Sequence, residues 1–216
     1  MRAFTFDNFN TWHDWRLTLT ARNTTPPMPK TNYVELGGVS GTLDLSEALS
    51  GEVAYNDRTV TASFWTSEGD FTERIMLLGD INRALHGKKV KIVEPDDPEH
   101  YFLGRVCITK QAYDQVHAEF TIEAICDPWR YAVSESHRAV EVDGNEVDVA
   151  IHNNGVKTLC PNIAVEGTVT ITYEGASVEL TDGVYRIADI KLRQGVTLVT
   201  VSGTGSVEFI YREAGL

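Results

Sequence analysis

At 216 residues, 42% of them hydrophobic, the chain is long enough for one large all-β domain or two small ones. It is also apolar enough to bury a core, which excludes a disordered chain. The net charge of −12 is evenly shared: residues 1–133 carry 13 basic and 19 acidic side chains, and residues 134–216 carry 6 and 12. That uniform acidity excludes a nucleic-acid binder, which needs Lys and Arg to displace counterions, but suits a protein that sits beside DNA without holding it.

The start, MRAFTFDNFN, lacks the charged-then-apolar layout of a signal peptide. No apolar run reaches the roughly 18 residues that cross a bilayer, so no membrane span is expected. Cys107, Cys126 and Cys160 are odd in number and contain no CxxC pair. They predict neither zinc nor a disulfide framework, but reduced thiols folded in a cytoplasm. Cys107 and Cys126 lie in apolar strand patterns and are expected to be buried.

In chain order, a short strand is predicted over Ala3–Phe6. Trp15, Leu17 and Leu19 then alternate with polar residues, as a half-buried strand requires. ARNTTPPMPK is a Pro-stiffened loop and Tyr33–Leu36 a short strand. The segment 41–51 is bounded by glycines and carries Leu43, Leu45 and Leu49, which need burial somewhere. Two readings stay open: an interface element, or a loop covering its own core. Arg58–Trp65 reads as a clean strand with Val60, Ala62 and Phe64 on one face.

The one long helix follows. Asp70 with Glu73 forms a capping box, and Phe71, Ile75, Leu78, Ile81 and Leu85 recur at spacings of three and four as one apolar stripe. Arg74, Asp80, Asn82 and Arg83 take the wet side, and Gly87 stands where a left-handed C-terminal residue is wanted. Next, KKVKIVE and YFLGRVCITK read as paired strands, with Val90, Ile92, Phe102, Val106 and Ile108 inward and PDDPEH as the turn. Asp96, Asp97, Glu99 and His100 match no EF-hand spacing, so that tip predicts a solvated turn and no metal. Val116–Ile125 is a further alternating strand, ending in the Pro-broken exit CDPWRYAV.

Beyond about Val133 the texture changes. All four Trp lie before it, and short β-rich runs follow between Gly and Asn turns: 147–151, 162–165, 169–173, 178–180, 185–187, 196–201 and 206–211. These predict a small antiparallel sandwich, with GTGS at 203–206 as a hairpin turn. The fold class is therefore mainly β: an α+β first domain over 1–133, with antiparallel strands and one helix, and a β-sandwich over 134–216. No GxSxG, HExxH, phosphate-binding loop or dinucleotide fingerprint is present, and the six His are scattered. No enzyme activity, catalytic residue or cofactor is predicted.

The order of elements resembles the distal tail proteins (Dit) of long, flexible-tailed phages. The resemblance runs through HDWRLTL, GVSGTLDLSEALSGEVAYNDRTVTASF, RALHGKKVKIV, DDPEHYFLGRV and IEAICDPWRY, then IHNNGVKTLCPNIAVEG, YRIADIKLRQGVTLVTVSGTG and VEFIYREAGL. It implies a virion structural protein assembled in the host cytoplasm and placed at the distal end of the tail. It further implies a six-membered ring formed by the first domain, joining the tail tube to the tail-tip or baseplate protein and letting DNA pass at ejection. The second domain would then be a galectin-like sandwich. A carbohydrate-binding adhesion module is the alternative, against which stands the lack of Trp in the second domain. Leu43, Leu45 and Leu49 are the expected interface residues.

Overall fold

Alternating apolar residues pair across strands to build most of the chain; the computed structural model describes residues 2–38, 40–48 and 51–216. The chain divides into two units, Met1–Arg130 with Leu216, and Tyr131–Gly215. The first unit contains β1 (Thr5–Phe6), β2 (Phe9–Asn10), β3 (Thr18–Thr24), β4 (Tyr33–Glu35), β5 (Thr42–Asp44), β6 (Arg58–Thr66), α1 (Phe71–Leu85), β7 (Lys89–Glu94), β8 (Asp97–Tyr113) and β9 (Ala118–Ala132). Its main sheet runs β2-β1-β7-β8-β9-β6-β3. The sheet curls until β3 meets the β7–β8 turn: Thr24 Oγ1 donates to Glu94 Oε1 at 2.6 Å, and Arg22 pairs with Asp96. Inside lie Phe4, Phe6, Phe64, Ile92, Phe120 and Ile122, with the Phe64 and Phe120 rings stacked at 5.5 Å.

The helix forms where its caps predict. Asp70 Oδ1 accepts from the Glu73 amide at 2.9 Å, and Glu73 Oε2 accepts from the Asp70 amide at 2.8 Å. At the far end His86 N donates to Asn82 O and Gly87 turns out with φ of +77°. Its buried row, however, is Arg74, Leu78, Ile81 and Leu85. Ile75 is 41% exposed and Arg74 only 3%, the reverse of the sequence expectation. Positions three and four before Leu78 flank the same row, and tertiary contacts choose between them. Here the Arg74 guanidinium donates to the carbonyls of Gly69 (2.6 Å) and Gln115 (2.7 Å), tying the helix start to the β8–β9 connection.

The strands also depart from expectation at their ends. The β7–β8 turn is only Pro95–Asp96, with Glu94 opposite Asp97, so most of PDDPEH is strand. β9 begins at Ala118, leaving Val116 exposed, and runs through Pro128. Proline is tolerated there because β6 stops pairing at Arg58 opposite Cys126 and needs no further N–H from β9. Cys126 is buried, but Cys107, between the inward Val106 and Ile108, points out.

The second unit holds β10 (Ser136–Asp143), β11 (Val147–Asn153), β12 (Asn162–Tyr173), β13 (Ala176–Leu180), β14 (Gly183–Tyr185), β15 (Gly195–Tyr211) and β16 (Ala214–Gly215). Its strands are seven, as many as the sequence predicts, but differently divided: 162–165 and 169–173 join in β12, 196–201 and 206–211 join in β15, and β10 and β16 are additional. GTGS is no hairpin turn but the middle of β15, which pairs with β11 up to Val201 and with β10 from Thr204 onward. β12 pairs with β15 throughout, including Gly167 opposite Gly205 and Val169 opposite Gly203. A Cβ on Gly205 would lie 2.0 Å from Glu166 O, and its φ is +146°. Only glycine permits that approach, and it bends both long strands together. As a result Val165 and Val207 on one side of the bend share one core with Ile171 and Val201 on the other.

Two stability outcomes follow from this packing. Ile81→Ala should cost about 2–5 kcal/mol in denaturant unfolding, whereas Ile75→Ala should stay below about 1 kcal/mol; equal losses would contradict the observed helix face. Gly205→Ala should cost on the order of 3 kcal/mol by the same assay, because the methyl group meets backbone on both counts of space and φ.

Candidate functional site

The strands β3 and β6 do not end at a tight turn. Their pairing continues outward: Thr25 N donates to Thr59 O, Asn56 N to Met28 O and Lys30 N to Ala54 O, all at 2.8–2.9 Å. Toward its outer end the stalk is held by Tyr55, whose ring meets Trp129 edge-on at 5.6 Å. From it extends a separate two-stranded sheet of β4 and β5, in register Tyr33–Asp44, Val34–Leu43 and Glu35–Thr42. Leu45 N donates to Asn32 O, and the Asp44 carboxylate accepts from the Ser46 amide and hydroxyl. Those two donors hold the Asp44 carboxyl below the usual carboxylate range, so it stays charged.

This arm, residues 31–54, is exposed along its strands. Tyr33 is 58% exposed and Leu43 48%, with Val34, Leu36 and Val53 also open to solvent. Leu43 and Val34 face one another across the pair, and neither belongs to the first core. Leu45 is half-buried; Leu49 lies outside the described residues. A hairpin of three-residue strands is marginal alone, and clustered exposed apolar side chains mark a surface that is covered in use. Exposure of the partner strand and of the stalk residue Val53 is what the Leu pattern could not reveal.

The other candidates resolve into structural contacts. At the β7–β8 turn Asp96 pairs with Arg2 and Arg22, while Asp97 accepts from Arg130 at 3.1 Å and contacts His100 Nδ1 at 2.7 Å. These carboxylates are neutralised by arginines. Among the described residues no group of three or more His, Cys, Asp and Glu side chains converges. A cleft of about 770 Å³ opens beside the bend of the second unit, lined by Glu141, Asp143, Glu166 and neighbouring backbone, without a nucleophile–base pair. Arg58 is buried over the Phe102 ring at 5.0 Å, and burial together with Arg130 lowers its pKa. Burial and the nearby Asp127 push the Cys126 thiol up to about 12, which leaves almost no thiolate at neutral pH.

Strand order, the helix α1 and the bent second sheet define a two-unit, mainly antiparallel β protein. The solved structure of the SPP1 Dit (gp 19.1) protein, described as a paradigm of the hub adsorption apparatus in phages infecting Gram-positive hosts, has the same fold. It aligns over 98% of this chain and 99% of that one with a TM-score of 0.71 and 14% identity. No family model matches the chain, and no curated protein matches it. The fold implied by the resemblance in sequence order is the fold found.

The thiols give a direct check on local structure. In the native chain at pH 7–8 a thiol reagent should label Cys107 readily and Cys126 only after unfolding. Mass mapping that finds Cys126 labelled as fast as Cys107 would contradict its placement in the core.

Proposed function

We propose that this chain is a structural subunit of a phage tail, a distal hub of the Dit kind, and not an enzyme. The observation that carries the reading is the end-to-end likeness of both units and their order to the SPP1 hub protein. The exposed arm supports it, since a subunit built for assembly carries apolar surface that the free chain leaves open. In this reading six copies form a ring through the first unit, with Leu43 and Leu45 among the contact residues and Leu49 assigned there from its place in the sequence. The ring joins the tail tube to the tail-tip protein at the distal end of the virion tail. DNA passes its opening at ejection, and the net charge of −12 per chain keeps phosphates from binding. The second unit serves as a galectin-like domain on this hub. The domain line is drawn at 133/134 from the change in sequence texture.

A sugar-binding role for the second unit receives little support. Sugar platforms use an exposed aromatic face, and the rings here are occupied. Tyr173, Tyr185, Phe209 and Tyr211 pack on the second core, and Lys157 covers Tyr131 at 4.9 Å.

Light scattering on the purified chain tests the reading. The expected mass is six times the 24.0 kDa of one chain, with rings seen by negative stain. Leu43→Asp with Tyr33→Asp should leave folded monomers, because both charges would be buried unpaired at the contact. A wild-type chain that stays monomeric at its highest soluble concentration and binds glycans would overturn the proposal.

A further inference from the structure

The second half of the chain is acidic as a whole, with 6 basic and 12 acidic side chains over residues 134–216. Three of those six basic residues nevertheless converge. Lys157, Arg186 and Arg212 line one cavity of about 230 Å³ together with Thr158, Asn162 and a single carboxylate, Glu135.

Strand register places two of the three cations. β12 lies between β14 and β15, with Ile163 opposite Tyr185 on one side and Asn162 opposite Ile210 on the other. Tyr185 and Tyr211 end their strands against the second core. Arg186 and Arg212 follow them directly, so alternation turns both away from that core, on either side of Asn162. The third cation comes from the β11–β12 connection, which the buried Asn153 pins. Its Nδ2 donates to Lys157 O at 3.0 Å and to Leu192 O at 2.9 Å, and its Oδ1 accepts from the Gly155 amide at 3.0 Å. Lys157 Nζ in turn donates to the Tyr131 hydroxyl at 3.2 Å. These bonds hold the wall in place before a ligand arrives, which lowers the ordering cost of binding.

The charges of the lining are unequally engaged. Arg212 pairs with Glu135 at 3.1 Å and donates to the carbonyls of Ala132 and Val133. Glu208, two residues before Ile210, contacts His137 Nδ1 at 3.0 Å. Arg186 is exposed and makes neither a hydrogen bond nor an ion pair among the described residues. Three cations against one carboxylate leave the lining positive within an acidic unit.

We propose that this cavity binds a phosphate group, as the free ion or as the headgroup of a small ester. Its volume falls below that of pockets for larger ligands and suits a headgroup. Two guanidinium groups and an ammonium approach from different elements, with a hydroxyl and an amide beside them. That spread of donors fits a tetrahedral oxyanion better than a planar carboxylate, which one guanidinium can hold in its own plane. The inference concerns the second unit alone and stands whether or not the chain forms rings. It differs from a sugar platform because charge, not an aromatic face, does the recognising. DNA is a poor occupant, since its neighbouring phosphates would meet the excess of carboxylates on the rest of the unit.

Isothermal titration calorimetry on the full-length chain at constant ionic strength tests the site, with glycerol 3-phosphate, inorganic phosphate, acetate and a short DNA strand as probes. The phosphate probes should bind at one site per chain, and acetate and DNA at least about tenfold more weakly. Tighter binding of glycerol 3-phosphate assigns the site to an ester, and equal binding of inorganic phosphate assigns it to the free ion. Arg186→Gln changes an exposed side chain and should weaken phosphate binding roughly tenfold. Arg193→Gln removes a cation that pairs with Glu174 beyond the other end of β12 and should leave binding unchanged. Equal weakening by both variants would reduce the effect to long-range charge and overturn the site. Acetate or DNA binding as tightly as phosphate overturns the ligand class, and no binding of either phosphate probe at millimolar concentration overturns the proposal.

Discussion

The first unit depends on a seal between one helix and one curled sheet. Leu78, Ile81 and Leu85 of α1 are buried in the same core as Phe64, Ile92, Phe102 and Phe120. Each of those helix side chains contributes roughly 1.5–3 kcal/mol on burial before entropy is counted. Arg74 completes the seal at the helix start, where two backbone carbonyls accept its guanidinium. No described residue of the long β3–β6 connection belongs to this core. That connection leaves as an arm whose own hydrogen bonds keep it extended and whose apolar side chains stay open.

The second unit solves closure differently. It has no helix, and its strands β12 and β15 are long enough to form both sides of a core if they bend. The bend requires backbones closer than any Cβ permits, and Gly167, Gly203 and Gly205 meet there. A continuous pair of strands thus replaces the hairpins that a sandwich of short strands would need, and β10 and β11 take turns as neighbours of β15.

Which parts were readable from the sequence follows from how local their causes are. The helix was legible because its cap, its period and its terminal glycine act within a few residues. The exchange of Arg74 and Ile75 was not, since both flank Leu78 and the carbonyls of Gly69 and the distant Gln115 decide between them. Strand interiors such as Val60–Phe64 and Phe120–Ala124 were legible from alternation. Strand ends were not: Pro98 and Pro128 look like stops, yet each sits in a strand. GTGS looked like a turn because glycine marks turns and close approaches alike. Of the candidate interface, the leucines were visible as apolar residues without a home. The partner strand β4 and the stalk emerge only when the chain is folded.

The proposed role is assembly and not chemistry at a site, and it rests on an exposed, acidic, apolar-faced arm carried by a fold shared with the SPP1 Dit protein. Cryo-electron microscopy of the purified chain tests that proposal most directly. The predicted result is a six-fold ring built from first units around an open centre, with the 31–54 arm of each copy lying on its neighbour. A ring made by second units, or particles in which every arm is folded back on its own chain, would contradict it.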